Sequence, residues 1–113
     1  MVIPPEHIFP DLEATDRYAA IREILQRLIR LGAIPNHAEE TLFAAICRRE
    51  EVMTTGIGMG LAFPHAVSDL VPRRVVALGR SKIGVDFAAL DGKPVKEIVL
   101  MILPKSDYEH ANA

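Results

Sequence analysis

The sequence changes from a helical to a sheet-like pattern within residues 49–65, which read Arg-Glu-Glu-Val-Met-Thr-Thr-Gly-Ile-Gly-Met-Gly-Leu-Ala-Phe-Pro-His. An arginine at position 49 suits the last turn of a helix, because the helix dipole stabilises a cation there. Residues 54–60 contain three glycines, which lose much entropy when they are ordered, and residues 61–63 then read as a strand. We therefore predict that residues 54–60 form an irregular turn between a helix and a strand.

Two helices are predicted before this stretch. The first begins at Thr15 or Asp16, whose side chains can accept from exposed N–H groups, and ends at Gly32, because glycine readily adopts a left-handed C-cap conformation. Its buried face is predicted from apolar side chains at spacings of three and four, namely Tyr18, Ile21, Leu25 and Leu28. For the second helix, Asn36 and Glu39 have the spacing of a reciprocal capping box.

Further strands and a third helix are predicted after this stretch. Strands are expected at 75–80 and 97–103, and the second of these is apolar without alternation, as in a central strand covered on both faces. Ser106 and Glu109 have the spacing of a capping box that opens a helix. The order of elements predicts one α/β (α+β) domain over residues 1–113, with a small mixed sheet of three to five strands flanked by helices.

Composition excludes several classes of function. The chain has 113 residues, a formal net charge of -2 and one cysteine, so it lacks the basic stripe of a nucleic-acid-binding protein and cannot form an intrachain disulfide. Its apolar runs are far shorter than the roughly 18 residues needed to cross a bilayer. The N-terminus has neither the charged nor the apolar part of a signal peptide. A cytoplasmic location is therefore expected.

Two short motifs contain residue types that are found in functional sites. The glycines of 56–60 do not form a nucleotide site, because the dinucleotide fingerprint follows a strand and precedes a helix, and a phosphate loop ends in Gly-Lys-Ser/Thr. Phe63-Pro64-His65 is more informative, because proline restricts its own backbone and that of the residue before it. A histidine placed there is oriented by the backbone, and one ring nitrogen can attack while the other donates to a carbonyl. From these residues alone, a solvent-exposed loop histidine is the alternative.

The whole stretch 49–65 resembles the signature of the enzyme IIA domains of the bacterial phosphotransferase system. The pattern is Arg-Glu, then Ser/Thr-Thr-Gly-x-Gly-x-Gly-x-Ala-x-Pro-His, of the fructose/mannitol class and its nitrogen-regulatory branch. The resemblance continues through Gly-Val-Asp-Phe at 84–87, Asp-Gly-Lys-Pro-Val at 91–95 and an apolar strand that ends at Pro104. It covers roughly residues 2–113 and implies the type-2 IIA sandwich of sheet and helices.

The resemblance implies a phosphohistidine carrier. His65 would accept a phosphoryl group from an HPr-like phosphocarrier protein and pass it towards a sugar-permease IIB component. His110 would be the second site histidine and Arg49 the site arginine, with no metal or cofactor required. The alternatives are an Arg49 that pairs with Glu50, Glu51 or solvent, an ordinary helical His110, and a metal site formed by the two histidines.

The resemblance leaves three functions open. The chain is a sugar-transport relay, or a regulatory protein that binds partners according to its phosphorylation state, or a protein of the same fold without transfer activity. Family domains continue for several helical turns after position 113, so we expect this chain to lack or not show its C-terminal helices. The sequence contains no information on the sugar or on the oligomeric state.

Overall fold

The computed structural model of the chain describes residues 2–107. Within them lie two α-helices, α1 (Arg17–Arg30) and α2 (Glu39–Val52). The strands are β1 (Ile8–Phe9), β2 (Gly56–Gly58), β3 (Leu61–Ala62), β4 (His65–Val67), β5 (Val75–Val85) and β6 (Val95–Leu103). Short 3-10 turns at Pro5–His7 and Asn36–Ala38 precede β1 and α2.

A single mixed sheet contains all six of these strands, in the order β1-β5-β6-β3-β2, with β4 also paired to β6. β5 and β6 are antiparallel, whereas β3 and β4 both run parallel to the other edge of β6. This sheet with its packed helices confirms the predicted α/β class. The strand count exceeds the predicted three to five because β2 and β4, each three residues long, were not predicted as strands.

Helix α1 matches its prediction closely. The Asp16 carboxylate accepts the N–H of Ala19 at 3.0 Å and thereby caps the helix N-terminus. Gly32 has φ +77 and donates to the carbonyl of Ile29 at 2.9 Å, so glycine ends the helix as expected. The buried face consists of Ala20, Ile21, Ile24, Leu25 and Leu28.

The predicted capping box of α2 is wrong. Asn36 lies in a 3-10 turn, and the N-cap of α2 is Ala38, which has no side-chain cap. Glu39 instead accepts from Arg22 of α1 at 2.9 Å, and the same guanidinium bonds Glu40. The carboxylate predicted for the cap therefore joins the two helices.

The prediction of an irregular turn at residues 54–60 is also wrong in part. β2 pairs antiparallel with β3, and the two strands are joined by a tight turn at Met59 and Gly60. Both turn residues have positive φ, +57 and +76. The glycines thus form one strand and half of a hairpin turn, which brings position 60 within hydrogen-bond reach of β6.

β6 is central, as predicted, but it is not covered equally on both faces. Ile98, Leu100 and Ile102 are fully buried, whereas Val99, Met101 and Leu103 are half-exposed. The buried set faces α1, since Ile98 pairs with Gly79, which lies against Ile24 of α1. In the described part of the chain, α1 therefore packs on this face of β6.

The third predicted helix is described only at its start. Residues 105–107 are helical, and the Asp69 carboxylate accepts the N–H of Lys105 at 3.0 Å. Glu109 and His110 lie outside the described residues. Across residues 2–107, no helix has the length and apolar character required to span a membrane.

Candidate functional site

His65 is the first residue of β4, where it pairs with Met101 of β6. The segment Phe63-Pro64 separates β3 from β4 although both strands pair with the same edge of β6. The Pro64 carbonyl accepts the N–H of Met101 at 3.1 Å, so the segment between β3 and β4 is also hydrogen-bonded to β6. Backbone pairing on both sides of the proline therefore fixes the direction in which the histidine leaves the chain.

The imidazole of His65 has a defined tautomer. Nδ1 lies 2.8 Å from the carbonyl oxygen of Phe63. A carbonyl oxygen has no proton to give, so Nδ1 must be the donor and carry the hydrogen. In the neutral ring the lone pair then resides on Nε2. The half-buried His65 is thus arranged as the sequence predicts, with one nitrogen fixed by a carbonyl and the other available as a nucleophile.

Arg49 lies in the last turn of α2 and is half-buried. Its Nη1 donates to the carbonyl of Met53 at 2.8 Å, just after the helix ends. The alternative pairing with Glu50 or Glu51 is not found among the described contacts. The bond to Met53 restrains a long side chain, which lowers the entropy lost when the guanidinium binds an anion.

An open cleft brings His65 and Arg49 together. It has a volume of about 540 Å³ and lies between α2 and the paired ends of β4 and β6. Its lining consists of Ala45, Arg48, Arg49, His65, Ala66, Val67, Met101 and Leu103. Among these described lining residues two are arginines and none is acidic, so the cleft offers positive charge to an anion beside the imidazole. The presence of Arg48 in this cleft was not predicted from the sequence.

The burial of Glu50, which is 1% exposed, was not predicted from the sequence. Its two carboxylate oxygens accept from the N–H of Thr55 at 2.8 Å and from the Thr55 hydroxyl at 2.6 Å. Arg17 of α1 lies 3.6 Å away and supplies a countercharge. The available signal was the spacing of Leu42, Ile46 and Glu50, which lie four residues apart on the buried face of α2.

Neither of the other described histidines lies in the cleft. His37 is exposed, as expected. His7 was expected at the surface but is half-buried, and its Nδ1 donates to the carbonyl of Val76 at 2.9 Å. The predicted partner His110 lies outside the described residues, so the site as described contains His65 and Arg49 of the three predicted residues.

Cys47 is not a competing nucleophile on α2. Burial raises the pKa of the Cys47 thiol above 9.0, and the nearby Glu51 carboxylate raises it further. Since the thiolate is the reactive form, this thiol is less reactive at neutral pH than an exposed cysteine. Cys47 also does not line the cleft, so His65 is the candidate nucleophile among the described lining residues.

Comparison with known proteins gives the family. The profile described as "Phosphoenolpyruvate-dependent sugar phosphotransferase system, EIIA 2" matches residues 1–113. The chain is 32% identical over 108 residues to the PTS system fructose-specific EIIA component of Haloferax volcanii, and the match covers 96% of this chain and 69% of that protein. It is 37% identical over 92 residues to the PTS system fructose-specific EIIABC component of Bacillus subtilis, covering 81% of this chain and 14% of that protein.

A solved structure gives the same result. The nitrogen regulatory protein IIA-Ntr of Neisseria meningitidis superposes with a TM-score of 0.81 at 30% identity, over 97% of this chain and 74% of that one. The resemblance that was read from residues 49–65 is thereby confirmed. This chain belongs to the EIIA 2 family of the phosphoenolpyruvate-dependent sugar phosphotransferase system.

Proposed function

We propose that the chain is a phosphohistidine carrier that accepts a phosphoryl group on His65 Nε2 from an HPr-like phosphocarrier protein and passes it to a IIB component. One observation carries the proposal: the hydrogen bond from Nδ1 to the Phe63 carbonyl leaves Nε2 as the unprotonated nitrogen of an imidazole in an open, cationic cleft. A phosphoryl acceptor needs this state, because a protonated nitrogen has no lone pair to attack phosphorus.

The transfer balances without any further reagent. The Nε2 lone pair forms a bond to phosphorus while the bond from phosphorus to the donor breaks, and the donor retains that electron pair. The ring then bears the positive charge of an imidazolium, which the Phe63 carbonyl stabilises through the Nδ1 proton. When an acceptor group attacks phosphorus, the N–P bond breaks and the neutral ring is restored. Neither step calls for a metal or a cofactor.

Arg49 is proposed to stabilise the charge of the phosphoryl oxygens. Enzymes that transfer phosphoryl groups act mainly by positioning them and by neutralising their equatorial oxygens. A guanidinium presents a planar fork that matches those oxygens, and Arg49 lines the same cleft as His65. His110 is proposed as the second histidine of the site by resemblance, and residues 1–113 are proposed to form one IIA domain.

The proposed partners follow from the family. The Bacillus subtilis relative is named an EIIABC component, so in that protein the A component occurs together with B and C components. We propose that a IIB component is the acceptor here, that the phosphocarrier is the donor, and that both exchanges take place in the cytoplasm. The apolar wall of the cleft, which includes Val67, Met101 and Leu103, suits contact with a protein rather than with a free sugar.

A second candidate function is regulation of nitrogen metabolism or of related processes. The Neisseria meningitidis protein of this fold and 30% identity is named a nitrogen regulatory protein. In that case the same phosphorylation of His65 would set the affinity for regulatory target proteins instead of feeding a permease. The chemistry at the imidazole is identical in the two functions.

Phosphorylation from phosphoenolpyruvate tests the proposal. The chain is incubated with phosphoenolpyruvate, enzyme I and the phosphocarrier, and acid-labile phosphate is measured. We expect one phosphoryl group per chain in the native protein and none in His65→Ala. The matched control is His37→Ala, which removes an exposed histidine outside the cleft and should label fully. Persistent labelling of His65→Ala would refute the assignment.

Relay and regulation are separated by the fate of the phosphoryl group. A sugar relay predicts rapid loss of label to a fructose-type IIB component added in stoichiometric amount. A regulator predicts slow loss to that component and a change of partner affinity between the phosphorylated and free forms. Partner affinity is measured with the phosphorylated protein and His65→Ala side by side.

A further inference from the structure

We infer that Glu50 is a positioning residue that holds His65 in its Nδ1-protonated tautomer through Thr55 and Phe63. The inference rests on the proposed role of His65 as the phosphoryl acceptor. Glu50 does not line the cleft, and in the described structure its contacts with the imidazole run entirely through other residues.

Burial of a carboxylate destabilises the folded protein unless its oxygens are paired. The buried position of Glu50 therefore calls for an explanation. Glu50 meets that requirement with two hydrogen bonds to one residue, Thr55, and with Arg17 at 3.6 Å. Charged acceptors make roughly twice as strong a hydrogen bond as neutral ones. Thr55 is therefore fixed more firmly than an ordinary loop residue after a helix.

From Thr55 the contacts lead to the imidazole through backbone groups. The Thr55 carbonyl accepts the N–H of Phe63 at 3.1 Å. The carbonyl of Phe63 in turn accepts from His65 Nδ1 at 2.8 Å. Each link is a hydrogen bond with restricted geometry, so the position of the carboxylate in α2 determines where the Phe63 carbonyl points.

The neighbouring residue Thr54 braces the same segment from the other side. Its hydroxyl donates to the carbonyl of Phe87 at 2.5 Å and accepts the N–H of Gly56 at 3.0 Å. Arg17 reaches the same Phe87 carbonyl at 3.5 Å. Residues 54–56 are thus fixed to α2 through Glu50 and to the loop after β5 through Phe87, and Arg17 of α1 contacts both of these partners. These bonds explain why a glycine-rich segment can serve as a rigid support.

The consequence concerns the tautomer. An imidazole in water favours the Nε2–H form, in which the nitrogen that faces the cleft is protonated and cannot attack phosphorus. The Phe63 carbonyl reverses that preference only if it stays within reach of Nδ1. Loosening Thr55 releases the carbonyl, and the free ring then returns towards the inactive form.

The test measures the tautomer directly, without any transfer reaction. Protein labelled with ¹⁵N-histidine is examined by NMR, and the His65 signals are identified from their absence in His65→Ala. In the native protein we expect Nδ1 to have the shift of a protonated nitrogen and Nε2 that of an unprotonated one. In Glu50→Gln the two shifts should move towards each other, because an amide supplies only one acceptor oxygen for the two groups that Thr55 donates to Glu50.

Matched variants separate positioning from a general loss of structure. Glu51→Gln makes the same change of charge at an exposed neighbour and should leave the His65 shifts unchanged. Thr55→Val removes the hydroxyl and should move the shifts in the same direction as Glu50→Gln, whereas Thr55→Ser keeps it and should restore them. If Glu50→Gln fails to fold, the comparison of Val with Ser at position 55 decides the question.

Rates provide the second readout. We expect Glu50→Gln to lower kcat/KM for phosphoryl acceptance about ten- to a hundredfold, as the loss of an outer-shell partner does for metal-bound histidines. Unchanged His65 shifts in folded Glu50→Gln and Thr55→Val would overturn the inference while leaving the carrier function intact. A native protein that shows the Glu50-dependent shifts yet accepts no phosphoryl group would instead overturn the function and leave the positioning role standing.

Discussion

The carboxylate of Asp91 accepts the backbone N–H of Met59 at 3.1 Å and so joins two turns that lie 32 residues apart in the sequence. Its other oxygen accepts the N–H of Lys93 at 3.0 Å within its own turn. The exposed side chain of Asp91 therefore links the turn of the β2–β3 hairpin to the loop that precedes β6. Because Phe63-Pro64-His65 follows β3 directly, this bond helps to hold the backbone that carries His65 in place.

The first prediction is that Asp91 makes the stability of the protein sensitive to acid. The Lys93 N–H is the largest cause that holds the pKa of Asp91 below its ordinary value; desolvation opposes it, and the Met59 N–H and the Lys93 charge lower the pKa further. A carboxylate whose pKa is depressed on folding stabilises the protein above its unfolded pKa, and this contribution is lost as the pH falls through the folded value. The stability gap between native protein and Asp91→Asn should therefore begin to close below about pH 5 and be lost once the pH has fallen through the pKa of Asp91 in the folded protein.

Urea unfolding across this pH range measures the gap. Glu6→Gln is the control, since Glu6 is an exposed carboxylate in the first turn of the chain and far from the hairpin in sequence. A gap of constant size from neutral to acid pH would show that the asparagine acts through something other than the lost charge.

The second prediction concerns the two arginines of the cleft. Arg49→Ala should slow phosphoryl acceptance by about a hundredfold, the usual effect of removing one donor that stabilises transition-state charge. Arg49→Lys should recover only part of the rate, because an ammonium keeps the charge without the planar fork. The rate is measured by quenched mixing with the phosphorylated phosphocarrier.

Arg48→Ala is the matched control for this prediction. Arg48 lines the same cleft but is exposed, whereas Arg49 is half-buried and held by the Met53 carbonyl. We expect a much smaller loss of rate in Arg48→Ala. Equal losses in the two variants would mean that the summed positive charge of the cleft matters and the restrained guanidinium does not.

Local sequence patterns were sufficient to predict the long helices and strands of the fold. Asp16 and Gly32 mark the ends of α1 correctly, because capping depends on residues within one helical turn. The short strands β2 and β4 were not predicted, since strands of three residues are defined by their pairing: β2 pairs with β3 across a turn of two residues, and β4 pairs with the distant β6. The capping box of α2 failed for a related reason, because Arg22 of another helix binds Glu39.

The same distinction holds at the site. The carbonyl-bound imidazole of His65 was predictable, because its partner Phe63 is two residues away and Pro64 restricts the backbone between them. The buried Glu50 was not, because its environment depends on Arg17, which is distant in the sequence. The identity of the family came from the spacing of the whole motif rather than from any single residue.

The third prediction is that Gly79→Ala destabilises the packing of α1 on the sheet. A Cβ at position 79 would lie 2.7 Å from Leu12 Cδ1 and 2.8 Å from Ile24 Cδ1, closer than carbon atoms can approach. Both neighbours are buried, so they cannot simply swing into solvent. Overpacking of this kind costs about 1–3 kcal/mol, which should appear as a lower urea midpoint with an unchanged slope.

A double-mutant cycle attributes the loss to that contact. Ile24→Val removes Ile24 Cδ1, one of the two methyl groups that would crowd the new Cβ, and leaves Leu12 Cδ1 in place. The double variant Gly79→Ala/Ile24→Val should therefore lose less stability than the sum of the two single variants. Strict additivity would mean that the destabilisation by Gly79→Ala does not come from the contact with Ile24, but from the contact with Leu12 or from the strand backbone.

The fourth prediction is that Met59→Asn stabilises the protein. Met59 has φ +57, a left-handed conformation that costs an ordinary residue about 1 kcal/mol and that asparagine tolerates better. The methionine side chain is 86% exposed, so its replacement removes little packing. Met53→Asn is the control, because Met53 is also an exposed methionine but has extended backbone with φ -162. We expect the free energy of unfolding to rise by about 0.5–1 kcal/mol for Met59→Asn and not for Met53→Asn. An equal rise in both variants would mean that the loss of exposed apolar surface, and not relief of backbone strain, is the cause.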